Sequence, residues 1–140
     1  MKLKRLLFGT ATASLPVDFG LLVLRLGFGV PIALAHGLPK LNRFAERSGS
    51  FSDPLGIGSE ASMTLAILTE FGCGILLALG LGTRMAALGL MVTMTIIFFI
   101  HHGEDPFRER ELAFTYLGAW LTLFFAGPGR FSLDRVITRG

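Results

Sequence analysis

Four long apolar stretches, each interrupted by only a few polar residues, follow one another along the chain. They cover residues 17–38, 60–82, 85–101 and 111–127. Each is close to or above the roughly 17 residues that a helix needs to cross a hydrocarbon layer about 30 Å thick. Turns and polar loops separate them, so neighbouring stretches run in opposite directions. The pattern therefore predicts an all-α fold, an antiparallel bundle of four transmembrane helices.

The first stretch carries a polar stripe. Asp18, Arg25 and His36 are 7 and 11 residues apart, which brings them within about 20° of one line on a helix of 3.6 residues per turn. We expect this stripe to face the interior of the bundle. Pro31 lacks a backbone N–H and predicts a kink in the first helix, one turn before His36.

A carboxylate lies at the centre of the second stretch. A charge at the middle of a bilayer costs from about 2.5 to over 10 kcal/mol, so Glu70 needs a partner or must be neutral. Counting depth along antiparallel helices places Arg25 within about one turn, 5.4 Å, of Glu70. We therefore expect a buried Arg25–Glu70 ion pair. His36, His101 and Glu111 are expected to form a second polar cluster at the end of the bundle away from the termini.

The fourth stretch has its own polar positions. Glu111, Thr115, Gly118 and Thr122 recur at helical spacing and predict a polar inner face for the fourth helix. The simpler interpretation of all these polar residues is structural, because buried charge pairs can fix the register of a bundle without doing chemistry.

Composition supports a membrane location. The chain is 51% hydrophobic and 16% charged, whereas soluble domains are about a quarter charged. Of its Lys and Arg residues outside the spans, seven lie on the side of the termini and five on the other side. This bias predicts a multi-pass membrane protein with cytoplasmic termini. The basic segment at residues 1–16 is expected to lie in the cytoplasm with the rest of this side. Its apolar part is too short for a typical signal peptide.

Several classes of function lack their motifs. The sequence contains no glycine-rich phosphate loop, no paired CxxC cysteines and no nucleic-acid motif, so no nucleic-acid partner is expected. Its single cysteine, Cys73, is expected to be a packing residue. His36 and His101 could be imagined as metal or haem ligands, but no recognised ligand spacing supports a bound metal or haem.

Five segments in order resemble the DoxX family of small bacterial membrane proteins. The five segments are residues 35–41 (AHGLPKL), 70–74 (EFGCG), 79–84 (LGLGTR), 111–117 (ELAFTYL) and 127–134 (GPGRFSLD). Leu24-Arg25-Leu26, which precedes them, is also part of the resemblance. The resemblance covers about residues 17–134, which would form the membrane domain, with residues 135–140 as a cytoplasmic tail. Cys73 departs from the pattern, since the family more often has glycine or another small residue there.

The resemblance implies a role in membrane redox chemistry. The family is named after a subunit of a terminal quinol oxidase, and other members are linked to quinone or catechol detoxification and to a complex that manages thiol and superoxide stress. The resemblance therefore implies a quinone-linked oxidoreductase component or redox-stress subunit of the bacterial inner (plasma) membrane. Its candidate site residues are Glu70, Arg25, His36, His101 and Glu111, its expected ligand is a quinone, and its expected partners are lipid and other redox proteins. The alternatives are a non-catalytic anchor or scaffold for a redox complex, and a small transporter-like bundle that would need to form a homo-oligomer.

Overall fold

The computed structural model describes residues 14–139, and every regular element in that range is helical. Three helices are long and apolar enough to cross a membrane: α1, Leu15–Asn42, α3, Ser59–Leu79, and α4, Thr83–His101. They correspond to the first three apolar stretches of the sequence. Residues 1–13 of the predicted basic segment lie outside the described residues.

Helix α1 is longer than the sequence pattern predicts. It comprises α-helix over Leu15–Pro31, a π-helical turn over Ile32–Gly37 and α-helix over Leu38–Asn42. It continues past Pro39, which stands near the start of its last α-helical segment, where the missing N–H costs little. Lys40 therefore lies on α1, beyond residue 38 where the first span was predicted to end. A short helix α2, Phe44–Arg47, and a 3₁₀ turn, Ser48–Ser50, come next.

Helices α3 and α4 form a tight hairpin. In α3, a π-helical turn over Leu68–Cys73 separates α-helix over Ser59–Ile67 from α-helix over Gly74–Leu79. Gly80, at φ 69°, ends α3, and its amide donates to the carbonyl of Leu77. Such left-handed ends favour glycine because a side chain is strained there. Helix α4 is α-helical over Thr83–Ile96 and π-helical over Ile97–His101.

Helix α5, Phe107–Ala126, packs along α4, and a last short helix α6, Leu133–Arg139, follows. The buried face of α5 is made of apolar and aromatic side chains: Ala113, Tyr116, Ala119, Trp120 and Leu123.

The predicted polar inner face of α5 is wrong, because Glu111, Thr115, Gly118 and Thr122 are all exposed. The two threonine hydroxyls need no interior partner, since each donates to the carbonyl four residues earlier on its own helix. A fourth membrane span and a kink at Pro31 stay predictions.

Helices α1 and α3 approach closely at glycines. A Cβ added to Gly29 would lie 2.9 Å from the carbonyl oxygen of Gly74, and one added to Gly37 would overlap the backbone of Phe71. Small residues allow such backbone contact between membrane helices. The two contacts fix which residues of α1 and α3 lie at the same depth, and this register decides the partners of Arg25 and Glu70.

Candidate functional site

The expected Arg25–Glu70 pair does not form. The Gly37–Phe71 contact puts Glu70 level with the end of α1, whereas Arg25 lies 12 residues, or about 18 Å, further back along that helix. Glu70 is paired instead with Lys40. Depth counted from the sequence was wrong because α1 extends further than its apolar stretch, which shifts its midpoint.

Arg25 belongs to a group of contacts at the end of the bundle nearer the described termini. Its guanidinium donates to the carbonyls of Leu77, at 3.4 Å, Ala78, at 3.1 Å, and Phe131. These carbonyls lie at the end of α3 and just before α6. Arg25 thereby satisfies acceptors that the end of a helix leaves free.

Two aspartates complete this group. Asp134 accepts hydrogen bonds from the amides of Gly82, at 2.7 Å, and Thr83, at 2.9 Å, and so caps the start of α4. Asp18 accepts from the amide of Arg130, at 2.8 Å. Arg25, Asp18 and Asp134 are each no more than 3% exposed. We call these three residues and their partners the terminal network, and its bonds join α1, α3, α4 and the C-terminal segment.

A pocket of about 410 Å³ lies toward the opposite end of the bundle. It is enclosed by α1, α3, α4, α5 and the loop before α3. Much of its wall is aliphatic, including Ile32, Leu65, Met94 and Ile97. The polar side chains that line it are His36, Lys40, Ser52, Ser62, Glu70, Thr93, His101, His102, Glu109 and Tyr116. Three of the five predicted site residues, His36, Glu70 and His101, therefore meet here. Arg25 and Glu111 are absent from its lining.

Each of the three predicted residues in the pocket comes from a π-helical turn. His36 lies in the turn of α1, Glu70 in that of α3 and His101 in that of α4. A π turn rotates the residues beyond it relative to a regular helix, and such turns are frequent at functional sites. A stripe counted at 3.6 residues per turn cannot anticipate this rotation, which is one reason why Arg25 and His36 have different surroundings.

The Lys40–Glu70 pair is the charged centre of the pocket. The Lys40 ammonium lies 2.5 Å from Oε2 of Glu70 and donates a second, longer bond of 3.3 Å to the carbonyl of His36. The Glu70 side chain is only 4% exposed, against 24% for Lys40. Sequence reasoning missed Lys40 because it ended the first span at residue 38, before Lys40. Its position four residues after His36, on the same helical face, was the available signal.

Tyr116 also escaped prediction. Its ring stacks on Trp120 at 5.5 Å and meets the edges of Phe28, at 5.5 Å, and His36, at 6.1 Å. These aromatic contacts hold the tyrosine between the core and the pocket. Its spacing of four from the buried Trp120 on α5 was the signal, and it was outweighed by the polar positions on the other face.

A hydrogen-bonded rim surrounds the end of the pocket that lies away from the terminal network. Ser52, in the loop before α3, lies 3.0 Å from Nδ1 of His101. The rings of His101 and His102 are 4.4 Å apart, and Nδ1 of His102 lies 2.7 Å from a carboxylate oxygen of Asp105. Two imidazoles and a carboxylate therefore lie together where the pocket meets the loops.

Asp53 shapes the loop that forms this rim. Its carboxylate accepts from the hydroxyl of Ser62, at 2.7 Å, and from the amides of Gly58, at 2.8 Å, and Ile57, at 3.0 Å. The hydrogen bond from Ser62, followed by those from the amides, lowers the pKa of Asp53 from its usual value. The loop is therefore fastened to the start of α3 by an ionised carboxylate.

Metal binding finds no support in the geometry of the described residues, which bring together no group of three or more potential His, Cys, Asp or Glu ligands. Cys73 is a free, half-buried thiol. A partly buried charge pair, imidazoles and a phenol in a largely aliphatic pocket suit a neutral, amphipathic ring that exchanges protons.

Comparison with known proteins finds a matching family and a relative. The model of the DoxX family matches residues 20–103, a range that holds His36, Lys40, Glu70 and His101. Inner membrane protein YqjF of Escherichia coli (strain K12) is 28% identical over 126 residues, which cover 87% of this chain and 95% of the relative. No solved structure matches the chain at a significant level.

Proposed function

Because the chain belongs to the DoxX family of integral membrane proteins, we propose that it is a quinone-linked component of a membrane oxidoreductase. The pocket between α1, α3, α4 and α5 holds the quinone or quinol ring. The observation that carries this proposal is the Lys40–Glu70 pair, a charge pair in the wall of a pocket that is otherwise largely aliphatic. A volume of about 410 Å³ is within the roughly 300–1,000 Å³ of small-molecule sites.

The chemistry of a quinol matches the side chains of the pocket. A quinol that becomes a quinone loses two protons together with two electrons. Glu70 accepts a proton from a ring hydroxyl, and the Lys40 ammonium stabilises the oxyanion that forms. His36 and His101 pass protons on to water at the rim. The two electrons go to a cofactor-bearing redox protein in the same membrane complex.

The relative and the charge bias support a location for the protein. The Escherichia coli relative is an inner membrane protein, and we place this chain in the same membrane. With the termini in the cytoplasm, as the distribution of Lys and Arg predicts, the rim of the pocket opens on the opposite side. Protons taken from the quinol would then leave on that side.

Binding of a quinone tests this proposal directly. Trp120 is the only tryptophan of the chain and stacks on Tyr116, a residue of the pocket wall. Titration of a short-chain quinone into the protein in lipid nanodiscs should quench its fluorescence in a saturable way. A quinone that merely dissolves in the lipid would quench it without saturation.

A matched pair of Ala→Phe variants tests whether the quinone binds in this pocket. Ala66 lines the pocket, whereas Ala61, one turn earlier on α3, is exposed outside it. Ala66→Phe fills the pocket and should abolish the saturable quenching, and Ala61→Phe should leave it unchanged. Equal quenching of both variants and the unmodified protein would refute a quinone site in this pocket.

The alternative function is that of an anchor or scaffold. It is favoured by the terminal network, whose buried Arg25 and Asp134 hold the ends of the helices and do not line the pocket. In this alternative Lys40 and Glu70 likewise only fix the register of α1 and α3. The Ala66→Phe and Ala61→Phe variants distinguish a quinone-binding component from a scaffold, because a scaffold needs no saturable quinone binding.

A further inference from the structure

We propose that the Lys40–Glu70 pair makes the pocket selective for the reduced, hydroxyl-bearing form of its ring ligand over the oxidised, carbonyl-bearing form. This inference rests on the proposed function, since it specifies the ligand of the same pocket. It follows from counting the hydrogen-bond donors and acceptors that the pair leaves open.

The ammonium of Lys40 has one donor to spare. It carries three N–H groups, of which one is directed to Glu70 and one to the carbonyl of His36. Lys40 lines the pocket, so its third N–H can bind a ligand there.

The carboxylate of Glu70 has an acceptor to spare. Oε2 takes the bond from Lys40, and within residues 14–139 the recorded hydrogen bonds include no donor to Oε1. Each oxygen of an ionised carboxylate accepts up to two hydrogen bonds. The side chain is 4% exposed, so bulk water replaces a missing donor poorly.

One hydroxyl group satisfies both needs. The oxygen of a ring O–H accepts from Lys40 while its hydrogen is donated to Glu70. A quinone carbonyl accepts from Lys40 but has no hydrogen to give, and it leaves a buried, charged acceptor without a donor. A site built to bond a ligand hydroxyl rejects the analogue that lacks it, since its own polar groups are then unpaired.

The other polar groups of the pocket do not reverse this preference. The hydroxyls of Ser62 and Thr93 already donate within the protein, to Asp53 and to Thr69 or Gly89 respectively, and are left to accept from a ligand. The Tyr116 hydroxyl can turn to donate or accept, and the imidazoles of His36 and His101 can do either through their tautomers. The remaining charged carboxylate in the lining, that of Glu109, is exposed, where water satisfies it. Glu70 is thus the group that distinguishes the two forms.

Two probes that differ in one hydroxyl test the inference without any redox reaction. These are 4-methoxyphenol and 1,4-dimethoxybenzene, titrated into the protein in nanodiscs with Trp120 fluorescence as the readout. The phenol should bind at least about tenfold more tightly, the usual effect of one bond to a charged group. Equal, saturable binding of both would overturn the selectivity and leave the proposed function standing. Failure of both probes and of a short-chain quinone to bind would overturn both proposals.

A pair of carboxylate variants then assigns the selectivity to its residue. Glu70→Gln introduces an N–H that a carbonyl can accept, so the preference for the phenol should fall below about threefold and duroquinone should bind more tightly. Glu111→Gln changes an exposed carboxylate outside the pocket and should leave the preference intact. An unchanged preference in Glu70→Gln would contradict the role of Glu70. If that variant does not accumulate, the probe pair on the unmodified protein still decides.

Discussion

The two ends of the helix bundle both bury charge, but they arrange it differently. In the terminal network, Arg25 and Asp134 bind backbone groups of the protein at the helix ends. In the pocket, Lys40 and Glu70 bind each other and still have a donor and an acceptor directed at an open volume of about 410 Å³. The described bonds of the first arrangement all go to the protein's own backbone, and the one group they leave over, Arg25 Nε, is buried in the protein. In the proposed function, the second arrangement is completed by a ligand.

This difference teaches how to tell structural from functional charge in a small membrane protein. Burial alone does not separate them, since Arg25 is 1% exposed and Glu70 is 3% exposed. The distinguishing property is where the remaining hydrogen-bonding capacity points. Changes in the terminal network should therefore alter stability, and changes in the pocket should alter ligand binding and activity.

The largest effect is expected from Arg25→Met. It removes the donor to the carbonyls of Leu77, Ala78 and Phe131, and each buried acceptor left unpaired costs about 1–3 kcal/mol. We expect little folded protein after detergent extraction, measured by size-exclusion chromatography. Arg43→Met, at an exposed position after α1, is the control and should behave like the unmodified protein. An Arg25→Met variant of normal yield and melting temperature would contradict a structural role for the network.

Glu70→Gln should instead give a folded protein with impaired chemistry. Loss of a positioned proton acceptor lowers rates by about 10²–10⁴-fold, and quinol oxidation by membranes that contain the complete complex should fall accordingly. The contrary outcome would be loss of the folded protein, restored by combining Lys40→Met with Glu70→Leu. That pattern would make the pair structural, like the terminal network.

Two glycines of α1 give an intermediate and well-controlled effect. A methyl group on Gly37 would overlap the backbone of Phe71 and push α1 away from α3, at a cost of about 1–3 kcal/mol. Gly27 has no atom within 4 Å of the added carbon, so Gly27→Ala should be neutral or slightly stabilising. Thermal unfolding in detergent compares the two. Equal melting temperatures would show that the close approach does not set the register.

The smallest effect concerns the loop over the pocket. Because the pKa of Asp53 is lower in the folded protein, its contribution to loop stability is present above the pKa of the unfolded chain, about 3.9, and is lost as the pH falls through the lower, folded value. After correction for the intrinsic pH dependence of amide exchange, the hydrogen exchange of residues 51–58 should be unchanged from pH 8 to pH 5 and faster only below about pH 4. Asp53→Asn should show the faster exchange at neutral pH. Loosening of the loop near pH 6 would point to the rim histidines instead.

The sequence predicted the helices better than their surroundings. Apolar length alone identified α1, α3 and α4, because a hydrophobic run of that size has few alternatives in lipid. Polar periodicity failed on α5, where the buried side chains include Tyr116 and Trp120, which contact Phe28 of α1, and not Thr115 and Thr122. In a membrane protein, exposed positions are not predominantly polar as they are in water. The polar positions of α5 therefore say less about which face is buried than they would on a helix of a soluble protein.

The sequence predicted three residues of the candidate site but not the partner of Glu70. His36, Glu70 and His101 were identified as residues too polar for lipid, and the structure brings all three to one pocket. The partner of Glu70 could not be found by counting depth, because the register depends on glycine contacts and π-helical turns that leave no periodic trace. Lys40 was missed for the same reason, since only the continuation of α1 past Pro39 carries it to Glu70.

The bond between Arg25 and the carbonyl of Phe131 has a consequence for how the protein is made. The two residues are 106 positions apart, and ribosomes add about 5–20 residues per second. For roughly 5–20 s after Arg25 emerges, therefore, the segment that completes its coordination does not yet exist. The nascent N-terminal helix must be held by the insertion machinery or stay near the membrane surface during that interval. The segment that carries Phe131 thus completes the surroundings of Arg25 late in synthesis, and a chain terminated before Phe131 would lack this bond.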